Sequence, residues 1–290
     1  MRSNRTGSNS PVVWLLTLIL IIQVLLVIYP IAFTVSSSFN RSNSLSSSAL
    51  MPFHYIDKDG NTVAPSLYQY KRLFTETNYL HWYKNTLLIA CMNTVLTVIV
   101  CTFAGYIFSR FSFPFRKTIM GSMIVLQMFP SFIGMIATYA ILNKLHALNT
   151  LWGLVLVYAT GSIPFNSWLM KGYFDTIPKD IAEAAYIDGA TPFQAFYKVI
   201  VPSAKPQIVF LALTSFTGPW MDFIFPKLVL RSDDKKTLAV GLYEMISGRS
   251  ADKFTMFAAG ALLVAVPFTI LFVSGQKTLL QSLAGTGGKE

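Results

Sequence analysis

The sequence predicts an all-α membrane protein with six transmembrane helices, and three observations lead there. Of 290 residues, 53% are hydrophobic and only 12% charged, about half the roughly 25% charged share of a soluble domain. The mean hydropathy is +0.51. The apolar residues also fall into blocks near the roughly 20 residues that a helix needs to cross a bilayer. Length alone suggests one or two soluble domains; the blocks override it in favour of one helical membrane unit.

The blocks are residues 12–35, 85–109, 118–142, 151–170, 207–230 and 255–275. Arg2 and Arg5 precede the first, as in a signal peptide. The run is too long for a signal-peptide core and no small-residue cleavage site follows, so it is read as a retained span. Block four is interrupted by Pro164 and Asn166, and block five by Gly218, Pro219 and Asp222. Such breaks survive in a membrane only where protein or a watery cavity satisfies the freed backbone groups. Pro164, Asn166, Gly218 and Asp222 are therefore candidates for lining a pathway. The plainer reading is kinks in a packed bundle.

The organisation that follows is an N-terminal tail and first span (1–35), a long outer loop (36–84), a five-span core (85–275) and a short tail (276–290). The Ser/Asn-rich stretch 36–48 is expected to be flexible, and the mixed-charge stretch 231–254 to lie at the surface. Orientation follows from basic residues in short loops. Arg110, Arg116 and Lys117 crowd the shortest inner loop against Lys144 alone in 143–150, which puts both termini in the cytoplasm.

The net charge is +10, spread from Arg2 to Lys289. No basic stripe on a soluble module is present, which excludes nucleic acid as a partner and leaves membrane lipid as the natural one. Cys91 and Cys101 share one block. Ten helical residues separate them by about 15 Å, too far for a disulfide, and both are read as small apolar core residues.

Between blocks four and five the chemistry changes. Asp180 with Glu183 fits an N-capping pattern, a helix runs to Asp188, and Gly189 supplies a left-handed turn. Thr191, Pro192 and Gln194 form a second capping box with proline at the first helical position. The second helix runs to about Val199 and Pro202 ends it. Ala182, Ala184 and Ala185 permit close approach of another surface, while Phe193, Phe196 and Tyr197 offer apolar knobs. Two readings stay open on the residues alone: a docking elbow or an amphipathic loop resting on the membrane.

The run Glu183-Ala184-Ala185, then Gly189, then Val199, Ile200, Val201 and Pro202 resembles the E-A-A signature of ABC importer permeases, with valine where isoleucine and leucine are usual. Gln127-Met128-Phe129-Pro130, Lys171-Gly172-Tyr173-Phe174, Asp188 to Pro192 and Leu238 to Gly241 are similar to the smaller permeases of maltose/maltodextrin importers, so that the resemblance covers most of the chain. It implies the type I ABC importer permease architecture in a bacterial inner membrane. It also implies alternating access driven by an ATPase dimer into which the elbow (176–202) docks through Glu183, Ala184, Ala185, Gly189, Phe193, Phe196 and Pro202. A second, homologous permease and an extracytoplasmic sugar-binding protein complete the implied assembly, the latter touching Gly241, Glu244, Ser247 and Gly248. Maltose or maltodextrin is the implied cargo, with another oligosaccharide or a polyol as the alternative. In that family the sugar site lies mainly in the partner permease, so no sugar ligands are assigned here.

ATP and Mg belong to the partner. The only Gly-Lys pair, Gly288-Lys289, is followed by Glu290, and Leu283 stands where a phosphate-binding loop needs glycine. This chain is thus expected to bind no cofactor and to catalyse nothing. His54, His81 and His146 are too scattered for a metal site. Trp14, Trp82, Trp152 and Trp168 sit near span ends and are read as an interfacial belt. A stand-alone secondary transporter, the competing class, would favour paired repeats and intramembrane charges, and neither is evident.

Overall fold

The structure is a computed structural model describing residues 11–43, 55–56, 62–247 and 253–286. It comprises thirteen described α-helices: α1 (Pro11–Ser38), α2 (Tyr68–Glu76), α3 (Tyr79–Arg110), α4 (Arg116–Gln127), α5 (Ser131–Lys144), α6 (Leu151–Thr176), α7 (Asp180–Ile187), α8 (Pro192–Ala195), α9 (Val201–Ser203), α10 (Lys205–Met221), α11 (Ile224–Val229), α12 (Leu238–Ile246) and α13 (Phe254–Thr286). Two short strands, Tyr55–Ile56 and Thr62–Val63, pair antiparallel. The chain divides into two units, Met1–Thr77 with Leu242–Val264, and Asn78–Gly241 with Ala265–Glu290.

Three helices are each long and apolar enough to cross a membrane: α1, α3 and the Phe254–Gln276 part of α13. Two bent helix pairs raise the count to five, against the six expected. Block three is the first pair, α4 and α5, bent by 104°. The break falls at Pro130, which cannot donate to the helix ladder and turns its predecessor out of the helical region. The second pair joins Pro192–Ser203 to α10 at 77°. Block four forms α6, which is 26 residues long but more polar.

The expected interruption of α6 is absent: the helix runs through Pro164. Proline removes the N–H that Thr160 O would accept, and the helix continues regardless; one residue on, Gln127 Nε2 from α4 ties to this stretch by donating to Gly161 O at 3.0 Å. In block five the helix likewise passes Gly218 and Pro219 and stops only at Asp222, whose backbone is extended.

In the second unit α3 is the axis. Asn93, Thr97, Cys101, Gly105 and Ser109 recur every four residues and so share one face. A Cβ on Gly105 would meet Met170 Cβ at 2.6 Å, so α3 and α6 touch backbone to side chain. Thr97 Oγ1 lies 3.3 Å from Ser162 Oγ, Ser109 Oγ donates to Asp175 Oδ1 at 2.7 Å, and Asn93 Nδ2 donates to Ser215 O of α10 at 2.7 Å. Lipid removes the hydrophobic drive between helices, and small residues with interhelical hydrogen bonds replace it. Cys101 is buried as expected, whereas Cys91 is exposed, because it lies off this face.

The 231–241 stretch packs rather than floats. Trp82 Nε1 donates to Asp233 O at 2.9 Å, Asn85 Nδ2 to Asp234 O at 2.8 Å, and Thr86 Oγ1 accepts from Leu238 N at 2.8 Å. A Cβ on Gly241 would fall into the Trp82 ring. Trp82 is buried and leaves the expected belt, while Trp14, Trp152 and Trp168 stay exposed.

In the first unit the described part of the 36–48 stretch, residues 36–43, is held in place by packing and hydrogen bonds. Ser36, Ser37 and Ser38 are buried as the last turn of α1. Tyr55 OH donates to Ser36 O at 2.5 Å, Tyr70 OH to Ser38 Oγ at 2.9 Å, and Gln69 Nε2 to Ser42 O at 3.0 Å. Residues 44–48 lie outside the described ones, as does His54. Tyr55, Tyr70 and Gln69 supply donors to the carbonyls and a hydroxyl of this serine-rich segment, which outweighs its flexible composition.

Candidate functional site: the elbow between α6 and α10

The elbow begins where α6 ends. Arg110, closing α3, donates through Nη2 to Phe174 O at 3.1 Å and Ile177 O at 2.7 Å. A cation on the last carbonyls satisfies orphan acceptors and the helix dipole together. α7 then starts at Asp180, with Lys179 as its cap and no side-chain capping bond, so Asp180 is not the expected cap. It sits with Glu183 in the first turn, where negative charge is favourable.

The turn is as expected. Gly189 has φ +83°, and its N–H donates to Tyr186 O at 3.0 Å, while Ala190 N–H donates to Ala185 O at 2.9 Å. Thr191 and Gln194 close the capping box: Gln194 N–H donates to Thr191 Oγ1 at 3.3 Å and Thr191 N–H to Gln194 Oε1 at 2.9 Å, with Pro192 leading the helix. Beyond Ala195 the helix widens into a π turn, Phe196–Ile200, and Pro202 lies inside the following turn instead of ending the path. The bend comes at Ala204, whose N–H donates to Ile200 O and Val201 O. One extra residue per turn accommodates a segment carrying Pro202, which has no N–H to give.

The elbow is bolted down on one side. Ala182, Ile200 and Ala204 are buried in a core with Cys101, Tyr106, Met170, Phe174, Ile177 and Leu211. Phe196 belongs to this side: its ring lies 4.6 Å from Tyr106 and 5.8 Å from Phe103. It is an anchor to α3 and not a free knob, and Ala182 likewise faces inward. The other side is open: Glu183, Ala184, Gly189 and Pro202 are exposed, and Ala185 is half-buried. Ile187 is 86%, Phe193 69% and Tyr197 62% exposed. The elbow is thus a rigid mount presenting uncovered apolar side chains around a glycine turn. Ile187, the most exposed of them, was missed in the sequence; its place just before Asp188-Gly189 was the available signal.

The pathway candidates separate. Asn166 and Gly218 line one cavity of about 470 Å³ with Asn93, Phe165 and Thr214. Asp222 lines an adjoining one of about 530 Å³ with Phe132, Thr138 and Tyr158; Pro164 lines neither. Asp222 is committed: Oδ2 accepts from Tyr158 OH at 2.9 Å, and Oδ1 from Ile224 N–H at 3.0 Å and Phe225 N–H at 3.4 Å, which caps α11. At the other loop, Gly241 is buried under Trp82 and so offers no contact surface. Glu244 and Ser247 are half-buried, and Gly248 lies outside the described residues. No metal-ligating cluster occurs among the described residues.

Apolar helices of membrane length, with a capped two-helix elbow carrying Glu183-Ala184-Ala185, Gly189 and Pro202, define a class of membrane permease. The chain belongs to the family of binding-protein-dependent transport system inner membrane components, whose model matches residues 86–279. It is 40% identical over 265 residues to the maltodextrin transport system permease protein MdxG of Bacillus subtilis (strain 168), covering 91% of this chain and 92% of that one. It is 36% identical to the galactooligosaccharides transport system permease protein GanQ of the same organism, covering 94% of each. A crystal structure of a bacterial ABC transporter involved in the import of the acidic polysaccharide alginate shares the fold, with a TM-score of 0.77 at 21% identity over 96% of this chain and 99% of that one.

Proposed function

We propose that this chain is a pore-forming permease subunit of an ABC importer that carries maltodextrin or a similar oligosaccharide, delivered by an extracytoplasmic binding protein. The observation that carries this reading is the elbow: a locally rigid mount, held by Arg110, Phe196 and Ile200, whose outer face is apolar and uncovered. Such a face suits a cleft in a separate ATPase subunit, with Glu183 meeting a basic group there. Closure of an ATPase dimer moves the mount, and the packed α3–α6–α10 unit follows as a body, which is alternating access. In this reading the elbow and both termini are cytoplasmic, and a second permease of the same type completes the path. The cavities beside Asn166 and Asp222 supply this subunit's share of a polar, aromatic-lined route.

The cargo reading rests on the MdxG relative; the GanQ relative supports another oligosaccharide as the alternative. The test is co-purification of the tagged protein from mild detergent, then ATP hydrolysis with candidate sugars and the binding protein. A bound ATPase, a second permease and sugar-stimulated hydrolysis are expected, and the stimulating sugar identifies the cargo. Purification of the chain alone, with uptake that persists in ATP-depleted vesicles, would instead point to a secondary transporter.

A further inference from the structure

Beside the elbow lies a second feature that the docking reading does not use. The loop between α3 and α4, the start of α4 and the facing side of α6 enclose an open cavity of about 690 Å³. Three cations line it: Arg116 and Lys117 from the first turn of α4, and Lys171 from α6. Ser112 and Thr118 add hydroxyls, and Trp168 closes one wall. One carboxylate balances part of this charge, since Lys171 Nζ pairs with Asp175 at 2.5 Å. Arg116 gives one donor to Phe111 O at 3.1 Å and keeps the rest of its fork. Lys117 is exposed and has no ion-pair partner among the described residues.

The surroundings are apolar and uncovered. Phe115 has φ 63°, a left-handed conformation that is unusual for a bulky residue, and stands 77% exposed. α4 buries no residue, and Ile119, Ile124 and Val125 along it are exposed. The cations thus form a rim at the end of an apolar helix surface, with Trp168 and Phe115 at the same level, where aromatic side chains mark the membrane interface.

Basic pockets between spans on the cytoplasmic side recognise anionic headgroups. A soluble phosphate would be served by the cations alone; the apolar wall that continues from them matches acyl chains. We propose that this cavity is a site for an anionic phospholipid, its phosphate on Arg116, Lys117 and Lys171 and its chains along α4. The inference rests on the membrane placement of the family and on the cytoplasmic orientation proposed above for the α3–α4 loop, not on the cargo or the docking reading.

Thermal unfolding of the full-length chain in uncharged detergent tests it, with phosphatidylglycerol, phosphatidylcholine or inorganic phosphate added at equal concentration. Phosphatidylglycerol is expected to raise the midpoint well above phosphatidylcholine, and native mass spectrometry to show it retained. The shift should fall at least by half in Lys117→Gln and vanish in Arg116→Gln/Lys117→Gln. Lys117→Gln removes no observed bond, so it remains informative if the double variant fails to fold. Equal shifts with phosphatidylcholine, an equal shift with inorganic phosphate, or a full shift in Lys117→Gln would each overturn the site.

Discussion

At the scale of single residues, Gly189 and Glu183 carry the sharpest expectations. A Cβ on Gly189 would meet nothing within 4 Å, so alanine there costs only backbone strain, about 1–2 kcal/mol, and should slow uptake modestly. Gly189→Pro demands a negative φ and removes the N–H that Tyr186 O accepts, and it should abolish uptake while the protein still reaches the membrane. Glu183→Arg should do the same by opposing a basic partner at close range. Normal uptake by both variants would defeat the docking role. Asp233 offers a pH signature. Burial opposes its charge, but hydrogen bonds from Lys236 and Asn78 outweigh this and hold its carboxyl below the usual carboxylate range. A depressed folded pKa contributes stability above the unfolded value, lost as pH falls through the folded one. The melting-temperature advantage of the wild type over Asp233→Asn should therefore be flat near neutrality and shrink below about pH 4. An advantage independent of pH would deny the charge its role.

At the scale of elements, the α3 stripe decides how the spans meet. Gly105→Leu puts side-chain atoms where Met170 already stands, and overpacking of this kind costs about 1–3 kcal/mol. Gly121→Leu is the control, since a Cβ there meets nothing within 4 Å. The first variant should melt several degrees lower than the second, and equal melting would mean that the α3–α6 contact yields freely. The elbow was legible as an element because its signals are local: Gly189, Thr191, Pro192 and Gln194 fall within six consecutive residues. The α3 stripe was equally present as Asn93, Thr97, Cys101, Gly105 and Ser109, but a four-residue spacing of small and polar residues is hidden inside a run of apolar ones. The continuity of α6 through Pro164 was not legible, because an internal proline reads locally as a break and the packing of other helices against α6 is not recorded in its own sequence.

At the scale of the molecule, the orientation is testable by labelling. In a Cys91→Ser/Cys101→Ala background, Lys198→Cys should react with an impermeant maleimide only after the membrane is opened from the cytoplasmic side. Lys144→Cys should react in intact cells; the reverse pattern would invert the topology. Composition and block length determined by themselves that the chain is a helical membrane protein, since the bilayer imposes length and apolarity on each segment. The spacing of capping and turn residues determined the elbow, since those bonds form within one or two helical turns. Only the tertiary structure decided which elbow side chains remain free, turning Phe196 inward onto Tyr106 and leaving Ile187 outside. It alone took Trp82 from the interface to Gly241 and gave Asp222 to Tyr158. These outcomes depend on side chains of distant segments competing for the same space, and no local pattern records who wins.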